Sequence, residues 1–238
     1  MKKLFVSSLL NLFLVAGVFA QKEIVVDPNA SVRTISAVFN HIKVSNNIKL
    51  ILSQSDVVSL AVSASEEKYK NQIQTVVDNN TLRIFSDEGN WSGSKNRQLT
   101  VYLSFKNLEK LDVGGASQVL ASNPIRLNTL SIDLSGAAVL RAAVEIQNLS
   151  LELSGASKAR LSGVANTVSL ECSGASDVGA YDLTMQTCSV TAAGASDLQL
   201  HVEKALNAVA SGASRIYYKG EPTTNIKNSG VSKIEKRL

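Results

Sequence analysis

Leu149-Ser150-Leu151-Glu152-Leu153-Ser154-Gly155-Ala156-Ser157 is the stretch that decides the fold. Leucine alternates with polar residues, the pattern of a strand with one buried face. The strand then runs into a small-residue corner. The corner returns along the chain, as Gly115-Ala116-Ser117, Gly136-Ala137-Ala138, Gly155-Ala156-Ser157, Gly174-Ala175-Ser176, Gly194-Ala195-Ser196, Gly212-Ala213-Ser214 and Gly230-Val231-Ser232. Successive glycines lie 21, 19, 19, 20, 18 and 18 residues apart. So regular a period means one structural unit stacked many times.

Aligned on the glycine, the units separate into columns. Four residues before it stand Leu111, Ile132, Leu151, Leu170, Val190, Ala208 and Ile226. Two before it stand Val113, Leu134, Leu153, Cys172, Ala192, Ala210 and Asn228. Four after it stand Val119, Leu140, Ala159, Val178, Leu198, Ile216 and Ile234. Strand, tight corner, strand, looser return is one rung of a parallel β-helix, with about seven rungs of 18–21 residues. Rungs about 4.8 Å apart would make a column roughly 30 Å long. Right-handed winding is expected from the crossover rule for parallel strands; a left-handed helix would need a clean six-residue beat. The corner serines can hydrogen-bond local backbone. Cys172 and Cys188 replace aliphatic residues in inward columns of adjacent rungs. Their offset of four positions, roughly 13 Å along a strand, is too wide for a disulfide, so two buried free thiols are expected.

Residues 1–20 read as a secretory signal: Lys2 and Lys3, an apolar run from Leu4 to Phe19, and small residues at the end. No cysteine stands at the cleavage point to carry a lipid, and no stable membrane span is expected after cleavage. The remainder, 21–238, reads as a single domain, with 21–110 irregular and 111–238 regular. Loss of the two lysines lowers the formal charge from +4 to +2, which gives no argument for nucleic acid.

The irregular region is strand-rich and should supply the first, irregular rungs and cap the end of the stack, as solenoids require. Ile48, Leu50 and Leu52 alternate, as do Val58, Leu60 and Val62. Asp78-Asn79-Asn80-Thr81 reads as a hairpin turn between Ile73–Val77 and Leu82–Phe85. A short helix is expected within Glu66–Gln72, and a loop over Ser86–Arg97 carries the single tryptophan, Trp91.

Phe39-Asn40-His41-Ile42-Lys43-Val44-Ser45, Ile48-Lys49-Leu50-Ile51-Leu52, the Leu-Glu-Lys-Leu-Asp-Val run at 108–113 and the serial Ser-Gly-Ala-Ser corners together resemble the head GIN domain family, over about residues 35 to 220. That family is described as heads of auto-transporter adhesins. The resemblance implies a right-handed β-helix and an exported bacterial envelope protein, and brings no catalytic residues to carry over. No membrane-barrel segment follows the repeats up to Leu238, so self-translocation is not expected.

Three residues before the glycines stand Asp112, Asp133, Glu152 and Glu171, an acidic stripe flanked by serines. The stripe reads either as a weak calcium site with oxygen ligands or, by default, as a solvated face. Beyond weak calcium binding, no cofactor is expected. After the corners come Lys158, Asp177, Asp197, Arg215 and Lys233, with Arg141 and Arg160 nearby. These read as a ladder of ion pairs, or as the acid cluster and base of a polysaccharide lyase. Trp91 reads as a carbohydrate-stacking residue or as a lid over the helix end. His41 and His201 lack metal-ligand spacing, and no nucleophile elbow, phosphate loop or zinc motif is present.

The expectation is a non-enzymatic envelope or secreted protein that binds a glycan or surface protein through one face. A polysaccharide lyase or hydrolase using Asp177, Asp197 and Arg160 is the first alternative, and a structural or assembly role is the second. The sequence does not specify an oligomeric state.

Overall fold

The computed structural model describes residues 27–35, 37–87 and 97–237. The expected signal segment lies outside them, and so does Trp91. The first part of the chain forms β1 (Ser31–Arg33), β2 (His41–Val44), β3 (Lys49–Gln54), β4 (Ser59–Ala64), α1 (Glu67–Lys70), β5 (Ile73–Asp78), β6 (Thr81–Ser86) and β7 (Leu99–Phe105). The repeats form β8 (Lys110–Val113), β9 (Gln118–Ala121), β10 (Ile125–Leu134), β11 (Val139–Leu153), β12 (Lys158–Cys172), β13 (Asp177–Ala192) and β14 (Asp197–Ala210). The last turn holds β15 (Arg215–Lys219), β16 (Thr223–Asn228) and β17 (Lys233–Lys236). The architecture is an all-β solenoid with a mixed, curled sheet at its amino-terminal end.

Successive repeats pair in parallel with the inward columns in register: Ile132, Leu151, Leu170, Val190 and Ala208 follow one another strand to strand. All five are buried. The corner shows why the tripeptide repeats. Gly155 has φ +70°, and a Cβ there would stand 2.6 Å from the Gly136 carbonyl oxygen. Glycine is therefore required twice over, for the left-handed backbone and for the close approach. The Ala156 amide donates to that same carbonyl at 2.7 Å, and the Ala175, Ala195 and Ala213 amides repeat the bond to Gly155, Gly174 and Gly194, each at 2.7 Å.

The corner serines point inward. Ser157, Ser176, Ser196 and Ser214 are buried. Their hydroxyls donate to the carbonyls of Ser154, Ser173, Ala193 and Ser211 at 2.7–2.9 Å. Each buried hydroxyl thus has its partner within the corner. The two cysteines are buried and unbonded. The register sets Cys172 against Ala192 and Cys188 against Val168, four residues apart along the strand. Burial pushes both thiols up to about 12.

Two features differ from the sequence reading. The looser return is not a loop: β11, β12, β13 and β14 run 15, 15, 16 and 14 residues from one corner to the next. The bends are absorbed inside the strands, with register slips such as the one between Arg160 and Ser162. Val58 falls outside β4 and is exposed, while Leu60 and Val62 are buried.

The amino-terminal region also holds a turn without the tripeptide. β2 and β3 pair in parallel with β8 and β9. Their corner is Asn46-Asn47, with φ of 64° and 63°, angles that asparagine tolerates better than most residues. β6 and β7 then stack in parallel outside β2 and β3, so chain order and stack order differ. The expected hairpin is present as antiparallel β5 and β6. Antiparallel β4 covers the free edge of β7, and β1 covers β4. This end of the solenoid is capped. No helix among the described residues is long and apolar enough to cross a membrane.

Candidate ligand-binding face

The strands that lead into the corners present a common outer face. Because their register is held from β10 to β13, like side chains stand in rows. Ser131, Ser150, Ser169 and Ser189 form one row. Thr129, Asn148, Thr167 and Thr187 form another, and the Thr187 and Thr167 hydroxyls are 3.4 Å apart. Between the serine row and the corners runs the acidic stripe, with Asp112, Asp133, Glu152 and Glu171 each paired to the next.

The stripe is divided by one lysine. Lys110 Nζ lies 2.7 Å from Asp133 and 3.3 Å from Asp112. Burial raises the Asp112 pKa, Lys110 opposes that shift, and Asp133 adds to it. Lys43 also stands beside Asp112 in register. Among the described residues, neither Glu152 nor Glu171 has an ion-pair partner, and both are exposed. Two carboxylates one rung apart repel by about 1 kcal/mol in water. Beyond Glu171 the column continues through Thr191 and Val209 to Lys227, so its open charge is confined to two rungs. Among the described residues, no group of three or more His, Cys, Asp or Glu is arranged to hold a metal ion.

The second cluster is closed by its own ion pairs. Arg160 holds Asp177 with two bonds, Nη1 to Oδ1 at 2.9 Å and Nη2 to Oδ2 at 2.7 Å. Arg215 Nε donates to Asp197 at 3.1 Å. The Asp177 bond is the main cause that raises the Arg160 pKa further. The arrangement is a cross-rung ion-pair ladder built on charge-assisted hydrogen bonds. Gly179 makes it fit: a Cβ there would lie 2.7 Å from Arg160 Cδ. His41 lies 3.9 Å from Glu109, and His201 lies 2.8 Å from Glu203.

The sequence located the stripe and its serines. It missed Lys110 as the clamp, although two residues before Asp112 on a strand is the same face. It also missed the part that Gly179 plays for Arg160.

Residues 38–222 match the family described as "Putative auto-transporter adhesin, head GIN domain". Among solved structures, the fold is shared with a "putative adhesin" from Bacteroides fragilis, at TM-score 0.77 and 21% identity, covering 88% of this chain and 98% of that one. A "putative adhesin" from Parabacteroides merdae gives TM-score 0.69 and 16% identity, covering 89% and 98%. A "putative lipid binding protein" from Parabacteroides distasonis gives 0.67 and 19%, covering 89% and 98%. At these identities the likeness is one of fold. No curated protein shows significant similarity to the chain.

Proposed function

The chain belongs to the head GIN domain family, and from that premise we propose that it is a non-enzymatic, exported envelope protein whose solenoid face binds a glycan or another surface molecule. The observation that carries this reading is the outer face over β10–β13, where rows of Ser and Thr hydroxyls run beside the carboxylates of Glu152 and Glu171, which have no ion-pair partner among the described residues. Hydroxyls and carboxylates spaced about 4.8 Å apart on a rigid sheet can exchange hydrogen bonds with a polyhydroxylated ligand at several points at once. Single contacts of this kind are weak, and repetition along the stack supplies avidity.

Glu152 and Glu171 are the proposed contacts, with Asp112 and Asp133 at the clamped end of the same stripe. Trp91 is a further stacking candidate. Weak calcium binding would occur at the open pair. The ion pairs of Asp177 and Asp197 support a non-enzymatic reading over a lyase.

The test is retention of multivalent protein, residues 21–238, on arrayed glycans with calcium and again with chelator. Reproducible retention is expected. Blank arrays in both conditions would contradict glycan recognition, and loss with chelator alone would assign the carboxylates a calcium-bridged role.

A further inference from the structure

The two ends of the solenoid are built differently. At the amino-terminal end, antiparallel β4, β5 and β1 cover the parallel stack. At the other end, no described strand lies beyond the last turn. Among the described residues, β16 pairs only with β14 and β17 only with β15, and nothing pairs with their outer edges. All six residues of β16 are exposed. Thr224, Ile226 and Asn228 occupy the inward columns filled one turn earlier by Leu206, Ala208 and Ala210. Those three are 0–1% exposed, whereas Ile226 is 39% exposed. An edge of unpaired backbone N–H and C=O groups beside an inward column that exposes Ile226 is a template for another strand.

The charge at this end selects the strand. Residues 215–237 carry Arg215, Lys219, Lys227, Lys233, Lys236 and Arg237 against only Glu221 and Glu235. Lys227 has no carboxylate partner among the described residues, and the neighbour in its column is Val209. A second copy docked end to end in a two-fold arrangement would bring two such cationic ends together, so like charge disfavours it. We propose that this end is an interaction surface for an extended acidic segment of another protein, which adds as a strand to the outer edge of β16. Alternate apolar side chains of the segment would cover Ile226 and the inward column beside it. The intervening carboxylates would stand beside Lys227, with Lys233, whose Nζ also bonds Glu235 at 2.7 Å, across the corner. This is strand addition, with the opposite-charge pairing across rungs that Arg160 and Asp177 already use inside the stack. The surface lies at the end of the stack, two rungs beyond β13 along the outward column of the candidate face.

The experiment uses a labelled eight-residue peptide alternating leucine and glutamate, and its leucine–lysine counterpart, titrated onto residues 21–238 by fluorescence anisotropy. Amide hydrogen exchange is followed on the same samples. The acidic peptide is expected to bind, more weakly as salt rises, and to protect amides of residues 223–228. The variant carrying Lys227→Glu and Lys233→Glu should bind it about tenfold more weakly. Both side chains are exposed, and an unchanged thermal midpoint would show that the variant is folded. Equal binding of both peptides, no binding by about 1 mM, or binding without protection of 223–228 would each overturn the proposal. So would a concentration-dependent dimer of the protein alone that protects 223–228, since the edge would then belong to a second copy.

Discussion

Lys110 and Asp133 sit on adjacent rungs with Nζ 2.7 Å from the carboxylate, and the same Nζ reaches Asp112 at 3.3 Å. One ammonium thus bridges two carboxylates of a stripe that would otherwise run as four carboxylates in a row. Lys110→Met should cost about 1 kcal/mol, the scale of a half-exposed ion pair. It should also create a continuous acidic row, so calcium should raise the thermal midpoint of the variant more than that of the parent. A differential scanning experiment with and without calcium checks both.

Asp112 is the group whose protonation should be felt. Its folded pKa lies above 3.8, chiefly through burial. The folded state therefore holds this proton more tightly than the unfolded state, and this group's contribution to stability falls as pH rises from 3.8 through the raised folded value. Asp112→Asn should remove that slope and should not destabilise the protein at neutral pH. Urea midpoints of parent and variant across mildly acid pH should converge at the acid end. A variant that is less stable at every pH would contradict this.

Gly155→Ala should destabilise by about 2 kcal/mol or more, combining a positive φ with a contact to the Gly136 carbonyl. Gly114→Ala is the internal control. Gly114 has no positive φ, and its Cβ would meet nothing closer than Ser135 Oγ at 3.4 Å. Its urea midpoint should stay near that of the parent.

The buried thiols give a chemical test. With both pKa values pushed up to about 12, Cys172 and Cys188 should be inert to a disulfide reagent at mildly alkaline pH in the folded protein. Both should react on unfolding. A fast-reacting thiol in the native state would contradict their placement.

The regular half of this fold was legible because one physical requirement recurs. Only glycine satisfies the corner's backbone angle and its close approach, so it marks each rung in the sequence. The cysteine offset followed from the same alignment. An irregular first rung was expected before the repeats, but its corner was not located, because Asn46 and Asn47 reach left-handed angles without glycine. The order of the amino-terminal stack was also hidden, since pairing of β6 and β7 outside β2 and β3 is a long-range choice with no local pattern. At the candidate face, column positions were readable, but the charge state was not. Whether a lysine clamps a carboxylate depends on side-chain reach between rungs. The exposure of the last turn was hinted at by Asn228 in an apolar column, a polar residue where the preceding rung places Ala210.

The most direct test is glycan retention by the parent and by a variant with Ser150→Arg and Ser169→Arg, which places two bulky side chains in the middle of the outer face without touching the core. Retention by the parent and its loss in the folded variant is the predicted result. Retention that is unchanged in the variant would contradict recognition through this face.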